Sequence, residues 1–309
     1  MVIFMNFIKV LEGIRTPGLD LFFLLITKLG EEDIFIIISL FVFWCINKKK
    51  GFYLLLVGFA GTLTNQFLKI TFKIPRPWVK DPTFTIVESA RESASGYSFP
   101  SGHTQTSVGV YGGLARAFKS NIFRMVCILL CILIPLSRLY LGVHTLLDVS
   151  VSFGLALVFI FVFYPFIEKN FDNKMKMNYL MITMFVLCFL HLLYVTFFPG
   201  NTNIEASLYE NAMKNAYKLM GCSVGVILAI IIDREFINFK TKAVWWVQIL
   251  KLVLGVVPIL LIKSLLKQPL IDLCDNLYIA NAIRYFLILF FACGIWPITF
   301  KYFAKIKKS

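Results

Sequence analysis

Ser137-Arg138-Leu139-Tyr140-Leu141-Gly142-Val143-His144-Thr145-Leu146-Leu147-Asp148 sets an arginine, a histidine and an aspartate into a run that otherwise has the composition of a membrane span. A charged side chain at that depth is costly unless it is paired or faces water, so each of the three needs a partner or a task. His144 and Asp148 are four residues apart. On a helix they would share a face, the carboxylate could hold one ring nitrogen, and the other nitrogen would remain as a nucleophile or a base.

The rest of the chain explains the setting. Of 309 residues, 59% are hydrophobic and 32 are Phe, and the mean hydropathy is +0.79. Soluble domains do not reach these values, so the expected fold is all-α: a polytopic transmembrane helical bundle. The formal net charge of +14 is assigned to cytoplasmic loops and phosphate contacts. Nucleic acid is not an expected partner, because no basic stripe interleaves with exposed aromatics. The seven cysteines show neither a CxxC spacing nor a Cys/His cluster at metal spacing. They read as packing residues, and no metal site is read from them.

Hydropathy divides the chain into about nine spans: 31–46, 51–72, 101–118, 122–136, about 144–166, 179–198, 216–232, 252–266 and 283–300. The first and eighth are short. Residues 1–30 lack the pattern of a cleaved signal peptide, and their best apolar run, 21–26, is too short to span a bilayer; the segment reads as interfacial. Residues 31–309 then form one transmembrane domain, with a motif core at 51–167 and additional C-terminal spans at 177–303. With nine spans, the basic links 47–50, 119–124, 168–176, 234–242 and 301–308 share one side. They are assigned to the cytoplasm, which puts the C-terminus inside and the N-terminus outside. Residues 78–99 are polar and aperiodic and read as a loop outside the hydrocarbon core, while the link 199–210 carries no Lys or Arg.

Three separated pieces fall on the other side: Lys69-Ile70-Thr71-Phe72-Lys73-Ile74-Pro75-Arg76-Pro77, then Phe99-Pro100-Ser101-Gly102-His103, then the opening stretch. Spans two to five would bring Lys69, Arg76, Ser101, His103, Arg138, His144 and Asp148 to one face. Three cations, a hydroxyl and the Gly102 amide at a helix start make a site for an anion with several oxygens, and the planar fork of arginine suits phosphate. Two histidines beside such an anion point to phosphoryl transfer, one attacking phosphorus and the other protonating the departing alkoxide. Asp148 can orient His144, which makes it the better nucleophile and His103 the general acid.

Together the pieces read Lys, six residues, Arg-Pro; Pro-Ser-Gly-His; and Ser-Arg, five residues, His, three residues, Asp. This pattern resembles the complete signature of the type 2 phosphatidic acid phosphatase superfamily, which includes lipid phosphate phosphatases, polyprenyl diphosphate phosphatases, glucose-6-phosphatase and the vanadium haloperoxidases. The resemblance covers about residues 69–148. It implies that His144 forms a phosphohistidine, Asp148 supports it, His103 protonates the leaving group, and Lys69, Arg76, Ser101, Gly102 and Arg138 hold the phosphate. It also implies that no metal or other cofactor is needed. The nine-span layout is similar to the sphingosine-1-phosphate phosphatase and glucose-6-phosphatase branches, and the run 137–165 is closest to the sphingoid one.

The expected function is an integral membrane phosphatase acting on a lipid phosphate monoester or diphosphate at the extracytoplasmic face. The substrate could be phosphatidate, phosphatidylglycerophosphate, a sphingoid phosphate or a polyprenyl diphosphate. A soluble sugar phosphate such as glucose 6-phosphate, or phosphate or lipid transport without hydrolysis, remains as the alternative. The Ile-, Phe- and Lys-rich composition points to a bacterial plasma membrane, with the endoplasmic reticulum as the other location. Outside the motifs, His191, Asn65 and Gln66 read as helix-to-helix hydrogen-bonding residues and Gly109, Gly112 and Gly113 as packing residues. Lys263 and Arg284 should snorkel. Lys73 and Lys80 are left outside the site, and Arg91 and Glu92 in a solvated loop.

Overall fold

The computed structural model describes residues 2–197 and 206–306. Helices begin where a capping side chain or a proline meets an apolar run. The first two are α1 (Val2–Gly13) and α2 (Pro17–Lys28); Thr16 Oγ1 accepts the Leu19 amide and Pro17 occupies the first turn of α2. Next come α3 (Glu32–Phe41), continued by a π turn over Val42–Ile46, and α4 (Lys48–Phe72). Lys73 ends α4 in the left-handed region at φ 49. A single turn, α5 (Pro77–Lys80), precedes a long loop, after which α6 (Gly102–Ser107), a π turn over Val108–Gly112 and α7 (Gly113–Ala117) run on as one rod. The remainder is α8 (Asn121–Tyr140), α9 (Leu146–Asn170), α10 (Lys174–Phe197), α11 (Ala206–Ile232), α12 (Trp245–Leu265), α13 (Lys267–Cys274), α14 (Leu277–Phe290) and α15 (Phe300–Phe303). There is no strand among the described residues.

Among the described residues, seven helices are long and apolar enough to cross a membrane: Lys48–Lys80, Asn121–Tyr140, Leu146–Asn170, Lys174–Phe197, Ala206–Ile237, Trp245–Leu265 and Leu277–Phe303. Two of the nine expected spans, 31–46 and 101–118, are not among these seven. Span 31–46 is a ten-residue helix continued by a five-residue π turn, and span 101–118 is a continuous rod of six, five and five residues. Each is a few residues short of the roughly 17–25 of an ordinary span. The expected eighth span, in contrast, is longer than its hydropathy implied, at 21 residues.

The residues form two compact units, Met1–Ile38 with Tyr53–Lys169 and Ser39–Phe52 with Asn170–Ser309. The first unit is built around the α6–α7 rod, which is mostly buried: Thr104, Ser107 and Val108 are at 0% exposure. Its glycines are packing sites, as expected. A Cβ at Gly109, Gly112 or Gly113 would approach Val57, Ile160 or Leu54 to 3.3, 2.8 or 2.7 Å. Because this rod packs largely against protein, it does not need high hydropathy. α8 turns Cys127, Cys131, Ile134 and Arg138 inward and leaves Met125, Ile128, Leu129 and Ile132 exposed, the pattern of a helix between a core and lipid.

Residues 5–30 pack within this unit. Ile8 lies in a cluster with Phe84, Ile86, Leu139 and Val149. Lys9 pairs with Asp81 at 2.7 Å, and hydrogen bonds from Lys9 and then Thr83 pull the Asp81 carboxyl down to about 2. Arg15 donates to the Tyr140 and Thr85 carbonyls at 3.0 and 2.8 Å, and the Tyr140 hydroxyl donates to Asp20 at 2.7 Å.

In the second unit, Gly221 and Gly225 let α11 approach α14 closely; a Cβ at Gly221 would lie 2.0 Å from the Ala282 carbonyl oxygen. Trp44 is fully buried, donates to the Ala292 carbonyl at 2.9 Å, and joins an aromatic cluster with Trp296 and Phe300. Arg284 departs from the snorkelling expected of it. It is buried, donating to the Lys263 carbonyl at 3.1 Å and to Asn281 Oδ1 at 2.5 Å, so its charge is met inside the unit. The link 199–210 lies largely outside the described residues.

Candidate active site

Arg76 stands before a proline and is therefore extended, at φ −64 and ψ 154, which directs its side chain back under the loop that follows. The guanidinium is buried and its donors are spent on that loop: Nε to the Gly96 carbonyl at 3.0 Å and Nη2 to the Ser95 carbonyl at 2.9 Å. Gly96 supplies its carbonyl from a left-handed conformation at φ +73. Nη1 reaches across to the Val143 carbonyl at 2.8 Å and to His144 Nε2 at 2.9 Å. Lys69, one helical turn before the end of α4, donates to the Tyr97 carbonyl at 2.5 Å.

His144 is 1% exposed. Arginine only donates, so the ring nitrogen 2.9 Å from Nη1 presents a lone pair, and in the neutral ring the proton belongs on Nδ1. Nδ1 lies 3.5 Å from Asp148 Oδ2. This pairing does not come from the helical spacing that the four-residue separation predicts, because α9 begins only at Leu146. Thr145 and Asp148 instead form a reciprocal cap. The Thr145 amide donates to Asp148 Oδ2 at 2.7 Å and the Asp148 amide to Thr145 Oγ1 at 3.4 Å. The same oxygen accepts the Ser98 hydroxyl at 2.6 Å. Gly142, at φ +80, makes the turn that swings His144 out of α8, and a Cβ there would meet Arg15 Nη2 at 2.6 Å.

Ser101 caps α6, its oxygen accepting from the Thr104 amide at 3.4 Å and the Thr104 hydroxyl at 3.0 Å. With both lone pairs used, its own proton is left to donate. The Ser101 amide donates to the Asp148 carbonyl at 3.1 Å, which joins the second motif to the third. His103 follows on the first turn; its Nε2 is buried and has no hydrogen-bond partner. Arg138, fully buried near the end of α8, donates through Nη1 to Thr27 Oγ1 at 2.8 Å and through both terminal nitrogens to Ser93 Oγ at 3.3 Å.

All eight residues singled out in the sequence therefore lie in the first unit, with Arg76, His144 and Asp148 in direct contact. Ser98, Ser93 and Thr27 were missed. Ser98 and Ser93 sit in a serine-bearing loop, the one signal that could have marked them, whereas Thr27 is 111 positions from the arginine it holds. The loop 78–99 is accordingly a lining of this cluster. Asn65, expected to bond between helices, donates instead to the Pro100 carbonyl at 3.4 Å. Arg91 is exposed and paired with Glu88.

Residues 50–172 match the model of the PAP2 superfamily, and residues 217–308 match that of the PAP2 superfamily phosphatase, transmembrane extension. Among curated proteins, the chain is similar to phosphatidylglycerophosphatase B of Bacillus subtilis, 31% identical over 53% of this chain and 80% of that protein. It is also similar to sphingosine-1-phosphate phosphatase 1 of Rattus norvegicus, 23% identical over 86% of this chain and 64% of that protein. Undecaprenyl-diphosphatase BcrC of Bacillus subtilis is 27% identical over 39% of this chain and 59% of that protein. The chain thus spans less than two thirds of the length of the latter two. No solved structure matches the chain. With seven apolar helices among the described residues, the last three of them in or overlapping the transmembrane extension, the chain is a multi-pass membrane protein, and it belongs to the PAP2 superfamily.

Proposed function

We propose that this protein is a membrane phosphatase that removes a phosphate from a phosphorylated lipid through a phosphohistidine on His144. The observation that carries the reading is the orientation of the ring: Nε2 keeps its lone pair toward Arg76 while Nδ1 faces Asp148. A substrate phosphate drawn in by Arg76 would place phosphorus on the same side as that lone pair. Nε2 then forms a bond to phosphorus as the bond to the lipid oxygen breaks, and the electron pair leaves on that oxygen. His103 supplies its proton. In the second half, water attacks phosphorus, gives a proton to His103, and the P–N electron pair returns to Nε2. Lys69, Arg76, Arg138, the Ser101 hydroxyl and the Gly102 amide balance the phosphate charge, so the chemistry needs no metal ion.

The substrate class is a lipid monoester or diphosphate, supported by the relatives whose names refer to phosphatidylglycerophosphate, sphingosine 1-phosphate and undecaprenyl diphosphate. The site faces the extracytoplasmic side, by the position of the basic links. Residues 31–309 act as one phosphatase domain, with the catalytic core at 51–167 and supporting spans at 177–303. The test is phosphate release by the purified chain from those three lipids and from glucose 6-phosphate, with EDTA present. Lipid turnover that survives EDTA, stops with vanadate and is absent in His144→Ala is expected. Full activity of His144→Ala would overturn the mechanism, and preference for glucose 6-phosphate would overturn the substrate class.

A further inference from the structure

The second unit holds a shallow, open pocket of about 360 Å³ that shares no residue with the candidate active site. Four lysines line it, Lys48 and Lys49 from the start of α4 and Lys240 and Lys242 from the link before α12, against one carboxylate, Asp172. Two aromatic rings, Phe171 and Phe239, complete the wall.

The walls are fixed rather than frayed. Phe239 is buried, with its ring edge-on to Phe43 and Phe300 at 5.2 Å each. Lys48 is ion-paired with Asp233, and its ammonium lies 4.3 Å from the Phe239 ring centre. Between Lys240 and Lys242, the Thr241 carbonyl accepts from Gln248 Nε2 at 2.7 Å and Lys251 Nζ at 3.2 Å, and its hydroxyl donates to the Ile46 carbonyl at 3.2 Å. Two links about 190 positions apart are thus held so that their cations converge on one pocket.

Such convergence is electrostatically uphill. Lysines repel one another, and three of them open α4, where the helix dipole already disfavours cations and no acidic residue stands in the first turn. Asp233 meets part of this charge through Lys48; an anion among the four lysines would lower the rest, and lysine is a point-charge phosphate binder that tolerates the loose geometry of four separate stems.

We infer that this pocket binds a phosphate-bearing anion, either the phosphodiester headgroup of a membrane lipid or free inorganic phosphate. The binding is separate from the proposed hydrolysis and does not depend on it.

The test uses the purified full chain in detergent, as wild type, as the Lys240→Gln/Lys242→Gln double variant and as the matching double arginine variant. Both positions are exposed, so these variants fold. Phosphatidylglycerol, a diester with no terminal phosphate, is followed by its retention in native mass spectrometry, and inorganic phosphate by calorimetry. The glutamine variant should weaken one binding event about thirtyfold, as the loss of two surface cations facing an anion predicts, while the arginine variant retains it. Phosphate release from lipid substrates should be equal in all three. Loss of phosphatidylglycerol retention identifies a lipid headgroup, and loss confined to inorganic phosphate identifies the free anion. Equal binding of both probes by the wild type and the glutamine variant overturns the inference.

Discussion

Arg76 Nη1 lies 2.9 Å from His144 Nε2, so a group that can only donate is set against the ring nitrogen farther from Asp148. The contact holds the imidazole in one tautomer, and its donor is one a bound phosphate oxygen could take over. Replacing Arg76 by Ala should lower kcat/KM by about 10²–10³-fold, the size expected for losing one preorganised donor at a developing negative charge. Arg76→Lys should recover little, since one ammonium cannot serve the Gly96, Ser95 and Val143 carbonyls together. Steady-state kinetics on a lipid phosphate checks both, and near-wild-type activity of Arg76→Lys would refute the assigned geometry.

Asp148 touches His144, Ser98 and Thr145, not the space where a phosphate would sit. Asp148→Asn should therefore act on kcat, with a loss of about 10–100-fold and KM nearly unchanged, as for a partner that orients a reacting imidazole. Ser98→Ala should move kcat the same way by a smaller factor. A rise in KM with kcat intact would mean that Asp148 contacts substrate instead.

Thr27 holds Arg138 by its hydroxyl at 2.8 Å. Thr27→Val keeps the shape and removes the acceptor, so KM for a lipid phosphate should rise about tenfold, the scale of one hydrogen bond to a charged group. Thr27→Ser should restore it. Identical kinetics of Thr27→Val and wild type would show that Arg138 needs no help from α2.

Close helix approach makes a prediction that does not involve the site. Gly221→Ala forces a methyl against the Ala282 backbone and should cost about 1–3 kcal/mol, seen as a lower midpoint of thermal unfolding in detergent. Gly154, within α9, has open space around its added Cβ. Gly154→Ala should leave the midpoint unchanged or raise it. Equal midpoints for the two variants would contradict the packing of α11 on α14.

Several features could be read directly from residue order because they are local. Apolar runs disclosed the helices, and the spacing from Lys69 to Arg76, from Ser101 to His103 and from Arg138 to Asp148 disclosed the cluster, since each piece lies within a dozen residues of chain. The span count was less legible: length and composition select seven helices among the described residues and leave out 31–46 and 101–118, because a rod such as α6–α7 that packs against protein carries small and polar residues in place of a long apolar run. His144 preceding α9 was also hidden, because a Thr-x-x-Asp cap and a helical His-x-x-x-Asp pair overlap in the same five residues.

The sequence by itself determined that this is an all-helical membrane chain carrying two histidines, an aspartate and three cations in fixed short spacings, because composition and periodicity are properties of neighbours along the chain. Tertiary structure alone decided which nitrogen of His144 faces Arg76, that Ser98 and the Thr145 amide share one oxygen of Asp148, and that Thr27 and Ser93 hold Arg138. Those are single hydrogen bonds across 45 to 111 positions for the serine and threonine contacts to Arg138 and Asp148. Such bonds repeat no pattern and leave no periodic trace; only the folded backbone brings their ends within 3 Å or so of one another.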